Sequence, residues 1–127
     1  MTDGLEAVTT ATLGLALDAA SLRQQAIAAN IANHATPGYV PLRVNFEAQL
    51  EDARRTLKQS GKVDEASLAG VKAQLEPVLD AHGAPAKVHL DAQIADMAQN
   101  AVHYQALSRA LNRQFAILAL ATADGKR

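Results

Sequence analysis

From Leu5 to Asn33, apolar side chains recur at alternating steps of four and three, at Leu13, Leu17, Ala20, Ile27 and Ile31, with Gln24 as the polar interruption. That rhythm keeps one face of a helix apolar and predicts a single α-helix over the span. A second row, Leu15, Ala19, Leu22, Ala26 and Ala29, runs beside the first. Together the rows make an arc wider than a two-stranded coiled-coil seam, so one partner helix would not cover it. Asp3 followed by Glu6 has the spacing of a capping box at the helix start. Pro37 pushes Thr36 out of helical geometry and Gly38 tolerates positive φ, so Ala35-Thr36-Pro37-Gly38-Tyr39 predicts a helix stop and a Pro-Gly turn.

Beyond the turn, Val40, Leu42, Val44 and Phe46 alternate with Pro41, Arg43 and Asn45, the period of a short extended stretch. Phe46, Leu50, Ala53 and Leu57 then predict a helix over residues 46–58, ending before Ser60-Gly61 with a polar joint at Gly61-Lys62-Val63-Asp64. Leu68, Val71 and Leu75 fit a short helix. Pro77 and Gly83-Ala84-Pro85 point to a loose hairpin over residues 75–89, because Pro77 is incompatible with a helix interior. The helical rhythm then returns through Leu90, Ile94, Met97, Ala101, Tyr104, Leu111, Phe115 and Leu118. Asp91 suits its N-cap, Gly125 its end, and Lys126 and Arg127 the negative end of its dipole. The expected fold is mainly α. Residues 1–39 and 90–127 form one helical core, two long terminal helices paired as an antiparallel coiled-coil-like unit, with residues 40–89 as a small irregular central segment.

Composition sharpens this picture. Hydrophobic residues reach 49% but aromatics only 3%, with no Trp, so much of the apolar content is Ala, which favours helix and close packing over a bulky core. With 12 Lys+Arg against 13 Asp+Glu, there is no basic field to hold nucleic acid or an anionic membrane. Cysteine is absent, which removes disulfides, Cys-based zinc sites and a thiol nucleophile. His34, His82, His89 and His103 show no zinc spacing, Ser21, Ser60, Ser67 and Ser108 no nucleophile-elbow context, and Gly70, Gly83 and Gly125 no phosphate loop. Glu47, Glu51 and Asp52, at helical spacing beside Arg54 and Arg55, read as a solvated face. No catalytic residue, cofactor or metal is therefore expected. The acidic first residues do not match a cleaved secretory signal, and no uninterrupted apolar run reaches the ~18 residues of a membrane span.

One block is more specific than any of these patterns. Asn30-Ile31-Ala32-Asn33-His34-Ala35-Thr36-Pro37-Gly38-Tyr39, followed by Phe46, closely resembles the amino-terminal signature of the bacterial flagellar basal-body rod and hook family. A second block, Leu90-Asp91 through Ala98, Asn100, Tyr104-Gln105-Ala106-Leu107 and Phe115, resembles the carboxyl-terminal pattern of proximal rod proteins of the B type. Where the C type typically reads Arg-Ala-Tyr-Gln-Ala-Asn, this chain has Val102-His103-Tyr104-Gln105-Ala106-Leu107, which favours B over C. Gln93 stands where Glu is expected, and His34 where an acidic or small residue is common. The resemblance covers residues 10–50 and 88–120 and leaves out the middle.

The resemblance implies a structural subunit of the axial drive shaft in the flagellar basal body, polymerised in the periplasm after export through the flagellar type III apparatus without a cleaved signal. It implies as partners other rod proteins, the membrane ring and its small rod adaptor protein. By similarity the motif residues are Asn30, Ile31, Asn33, Thr36, Pro37, Gly38, Tyr39 and Phe46. Leu13, Leu17, Ile27, Ile31, Ile94, Met97, Asn100, Tyr104, Leu111, Phe115 and Leu118 are expected in helix packing or assembly. For Asn30 and Asn33, capping of the helix end is favoured over donation to a neighbouring subunit. Physics agrees with such a role, since a heterologous contact that does not close yields a helical filament. Faces without neighbours would keep the ends largely disordered before assembly. The alternatives are a C-type rod protein, a free helical adaptor or chaperone with an exposed groove, and a small metal-dependent enzyme using the histidines. The adaptor leaves the Asn30–Tyr39 block unexplained.

Overall fold

The computed structural model describes residues 2–61 and 65–126. Residues 62–64 of the expected joint, Arg127, and the side chains of Asp3 and Leu57 lie outside the described residues, and the capping box with them. The element order is α1 (Thr2–Ala32), β1 (Leu42–Asn45), α2 (Glu47–Ser60), α3 (Glu65–Leu68), β2 (Gln74–Pro77) and α4 (Leu90–Asp124). With 31 and 35 residues, α1 and α4 extend roughly 45 and 50 Å at ~1.5 Å per residue. They run antiparallel, since Asn30 meets Gln93 while Gln24 meets Asn100. The mainly α architecture, with paired terminal helices around a small central segment, is the one expected.

The two apolar rows of α1 meet two different partners inside the chain. Ala19 joins Val44, Phe46, Leu68 and Val71 in a buried core, with Leu15 and Leu22 of the second row packed against it. Leu50 and Ala53 of α2 close this core from outside. The first row, through Ala20, Gln24 and Ile27, faces α4 instead. Ala19 and Ala20 are 1% and 0% exposed, so small side chains sit where α1 is approached from both sides. Thr9 and Thr12 stay in the helix by donating to the carbonyls of Leu5 and Val8, one turn back.

In the central segment a small hairpin closes across residues 78–86, with the Ala86 N–H donating to the Val78 carbonyl at 3.0 Å, and the strand before it finds a partner that the sequence pattern did not assign. β2 pairs antiparallel with β1, Val44 opposite Leu75 and Leu42 opposite Pro77, and not with residues near Val88. A strand already fixed on α1, with Val44 buried, offers β2 more apolar contact than the half-buried Ala86–Val88 segment. Pro77 ends its strand, where a missing N–H is tolerated. Residues 79–85 form a tight turn with one bridge, Leu79 to Pro85, in which the Asp80 carboxylate accepts from the backbone of His82 at 2.8 Å and Ala84 at 3.0 Å.

The helix ends also differ in detail. Leu90 opens α4 after an extended His89, φ −96°, so Asp91 lies in the first turn, where its charge suits the dipole, and is not the cap. Gly125 is the C-cap as expected, with right-handed φ of −70° and its N–H on the Ala121 carbonyl at 3.1 Å. By length and composition, Gly4–Ala32 is apolar enough to cross a bilayer. The expectation of no span rested on uninterrupted runs, whereas scattered polar residues only dilute an average. In the fold, Ala19, Ala20, Ala26, Ile27 and Asn30 of this helix are buried against protein.

Candidate functional site

The motif residues build a junction between α1, the following turn, β1 and α4. The turn is type II in form: Pro37 takes its second position, Gly38 its third with φ +76°, and the Tyr39 N–H donates to the Thr36 carbonyl at 3.2 Å. Asn33 works locally, as expected. Its amide donates to the Ala29 carbonyl at 2.9 Å and its Oδ1 accepts from the Thr36 hydroxyl at 3.2 Å, which satisfies the helix end. The His34 ring meets the Ile31 carbonyl at 2.8 Å.

Asn30 acts differently from the capping role expected of it. It is 2% exposed and uses its full hydrogen-bonding capacity. Nδ2 donates to the Leu42 carbonyl at 2.8 Å and to Gln93 Oε1 at 3.1 Å. Oδ1 accepts from the Leu42 N–H at 2.9 Å and the Tyr39 hydroxyl at 2.8 Å. The amide therefore pairs with the Leu42 backbone as a neighbouring strand would, and one side chain ties four segments together. Burial pushes the Tyr39 phenol above its ordinary pKa of 10.0, which keeps the donor proton in place. Gln93, which departs from the family pattern, still presents the side-chain oxygen this junction needs.

Two turns along α4, Asn100 makes a second amide clasp. It is 6% exposed and donates to the Ala20 carbonyl and to Gln24 Oε1, both at 2.9 Å. Gln24, an interruption when read as pattern, is the partner that Asn100 needs. Ile27 is buried, while Leu13, Leu17, Ile31, Met97, Leu111 and Leu118 are half-buried. Phe46 is buried in the central core with Val44 and Leu68.

Ile94, Tyr104 and Phe115 do not join the core of the helix pair; they are 54%, 44% and 49% exposed. Ile94 and Phe115, three heptads apart, lie along one edge of the predicted stripe, whereas Met97, Leu111 and Leu118, also at seven-residue multiples, lie along the edge nearer α1. The half-buried side of α4 runs through Gln93, Met97, Asn100, Leu107, Leu111 and Leu118, and the three bulky residues form a shoulder beside it.

On one flank of the helix pair lies a groove of about 770 Å³, between the second half of α1, β1, residues 86–88 and the first half of α4. Its floor includes Ile27, Leu42 and Val44, and its charged lining Arg23, Arg43, Lys87 and Asp96. Arg23 pairs with Glu47 at 2.7 Å and Arg43 with Glu76, so Glu47 also ties α2 to α1. The opposite flank holds a smaller groove of about 350 Å³ beside Gln24, Asn100 and Tyr104. Among the described residues, no group of three His, Asp or Glu side chains could hold a metal ion.

Comparison with known proteins converges on the same residues. A family model described as flagella basal body rod protein matches residues 12–39, which run from α1 through the junction turn to Tyr39. The flagellar basal body rod protein FlgB of Bacillus subtilis (strain 168) is 29% identical over 118 residues, covering 87% of this chain and 90% of that protein. The second match spans both terminal helices and the central segment between them. With its paired terminal helices and the amide-locked turn after α1, the chain is similar to flagellar basal-body rod proteins, to the family model over residues 12–39 and to the Bacillus relative over most of its length.

Proposed function

We propose that this chain is a structural subunit of the flagellar basal-body rod, of the proximal B type, and that it polymerises through the terminal helices, with the exposed shoulder of α4 as a principal contact. The observation that carries this reading is the row Ile94, Tyr104 and Phe115, each about half exposed beside a helix pair that does not cover it. Three bulky apolar side chains held in water along one shoulder favour a neighbour that removes them from it. A filament supplies such a neighbour at every subunit, because a contact that does not close repeats along the axis. The B-type assignment is supported by the relative that spans most of the chain.

In this reading the subunit lies in the periplasmic part of the basal body and reaches it through the flagellar type III apparatus. It contacts other rod proteins, the membrane ring and its small rod adaptor protein, and works mechanically, with no catalytic step. The test is Phe115→Asp in a motile bacterium lacking the wild-type chain. Motility and rod assembly are expected to be lost while the purified variant keeps its helix content by circular dichroism. Normal swimming by that variant would refute the role given to the shoulder.

A further inference from the structure

Thr10 stands apart from the other threonines of the helices. Thr9, Thr12, Thr56 and Thr122 each donate to the carbonyl one turn back, whereas the Thr10 hydroxyl is buried and has no hydrogen-bond partner among the described residues. Its place along the helix pair identifies a partner. Thr10 lies two heptads before Gln24 on α1, and Gln114 lies two heptads after Asn100 on α4. Gln24 and Asn100 meet in the second clasp. Because the helices run antiparallel, equal steps away from that clasp bring Leu17 opposite Leu107 and then Thr10 opposite Gln114. Burial agrees with this register. Leu17 and Leu107 are both half-buried, and Gln114 is half-buried while Arg113 and Phe115 on either side of it are exposed.

We infer that Thr10 and Gln114 form a third polar layer of the helix pair, in which the Thr10 hydroxyl donates to Gln114 Oε1. A buried donor without a partner is costly, and rotation about the side-chain bonds of Gln114 supplies an acceptor without moving either helix. The layer positions the part of α4 that is remote from the Asn30 junction. A slip of one heptad would set Gln114 against Leu17 in one direction and Thr10 against Leu107 in the other, so each slipped register places a polar group against Leu. The role belongs to the single chain and does not depend on the rod reading.

Nuclear magnetic resonance of the full-length chain tests the layer. Thr10→Val keeps the shape of the side chain and removes the hydroxyl; Thr10→Ser keeps the hydroxyl and removes the methyl. Thr10→Val should move the Gln114 side-chain amide resonances and speed exchange of the α4 backbone amides near Gln114 and Leu118 about fivefold. Thr10→Ser should stay close to the parent chain in both readouts. A Gln114 amide unmoved by Thr10→Val overturns the inference, as does Thr10→Ser disturbing it as much as Thr10→Val, which is the result expected of packing alone. The reciprocal change Gln114→Leu should speed the same exchange. Combined with Thr10→Val it should give exchange no faster than either single change, because replacing both partners leaves no unmatched group. Rate increases that multiply across the two changes overturn the layer.

Discussion

The two long helices carry similar sequences, rich in Ala and striped at steps of three and four, yet the fold treats them differently. Ala19, Ala20, Ala26, Ile27 and Asn30 of α1 are buried, whereas Asn100 is the one buried residue among the described residues of α4. The difference comes from what each touches. α1 is held between the central core on one face and α4 on another, while α4 leans on α1 alone and leaves Ile94, Val102, Tyr104, Phe115 and Leu120 in water. An apolar stripe in sequence thus describes two situations, a helix covered on two faces by its own chain and a helix covered on one.

The largest expected effect sets one helix's partner core against the other helix's free shoulder. Phe46→Ala removes a side chain 5% exposed in the core that holds α1 and should cost about 3 to 5 kcal/mol in urea denaturation. Phe115→Ala truncates a side chain of the same size that is 49% exposed, and should change stability by no more than about 0.5 kcal/mol. Similar losses at both positions would break the contrast and mean that α4 is packed as tightly as α1 in the single chain.

This contrast explains what the sequence made legible. The spans of α1 and α4, the Pro-Gly turn and the extended stretch after it follow from periodicity and turn chemistry, both local signals. The double row on α1 signalled more than one partner, and the structure supplies both within the chain. Illegible were the pairing of β2 with β1, a contact across roughly 30 residues that alternation alone cannot assign, and the split of the α4 stripe. Local bonds are the ones a sequence displays, so Asn30 at a helix end reads as a cap. Its partners Leu42 and Gln93 lie 12 and 63 residues away. A usable signal existed in the polar positions within the stripes. Gln24 interrupts one row, and Gln93 and Asn100 are one heptad apart, the spacing of side chains that set register between helices.

The two amide clasps sharpen the comparison at a smaller scale. Asn30→Ala strips hydrogen bonds from both the N–H and the carbonyl of Leu42 and from Tyr39, and should cost about 2 to 3 kcal/mol because buried backbone groups lose their partners. Asn100→Leu faces α4's more open contact. The Ala20 carbonyl keeps its place in the helix ladder, so the change should be within about 1 kcal/mol of neutral, while register between the helices becomes less defined. Chemical denaturation measures the first effect. Line broadening in α4 amide resonances with little change in melting measures the second. A larger loss at Asn100 than at Asn30 would reverse the ranking of the two helices.

The smallest effect concerns the phenol that completes the Asn30 junction. Burial raises the Tyr39 pKa in the folded chain above its ordinary value of 10.0, so the folded state holds the proton more tightly than the unfolded state does. The sign follows from linkage. Below pH 10.0 the group is protonated in both states and its contribution is fully present; as pH rises toward and through the folded value, the unfolded chain ionises first and stability falls. Tyr39→Phe removes the hydroxyl that donates to Asn30, at a cost of about 1 kcal/mol at neutral pH. It should also flatten the decline above pH 10.0, so the stability difference between parent and variant narrows as pH increases. Denaturation midpoints of both chains between neutral pH and pH 11 test this directly. Parallel curves would mean that the hydroxyl ionises equally in both states and that the junction is open to water, which would place the weakest point of the α1 anchorage at the motif itself.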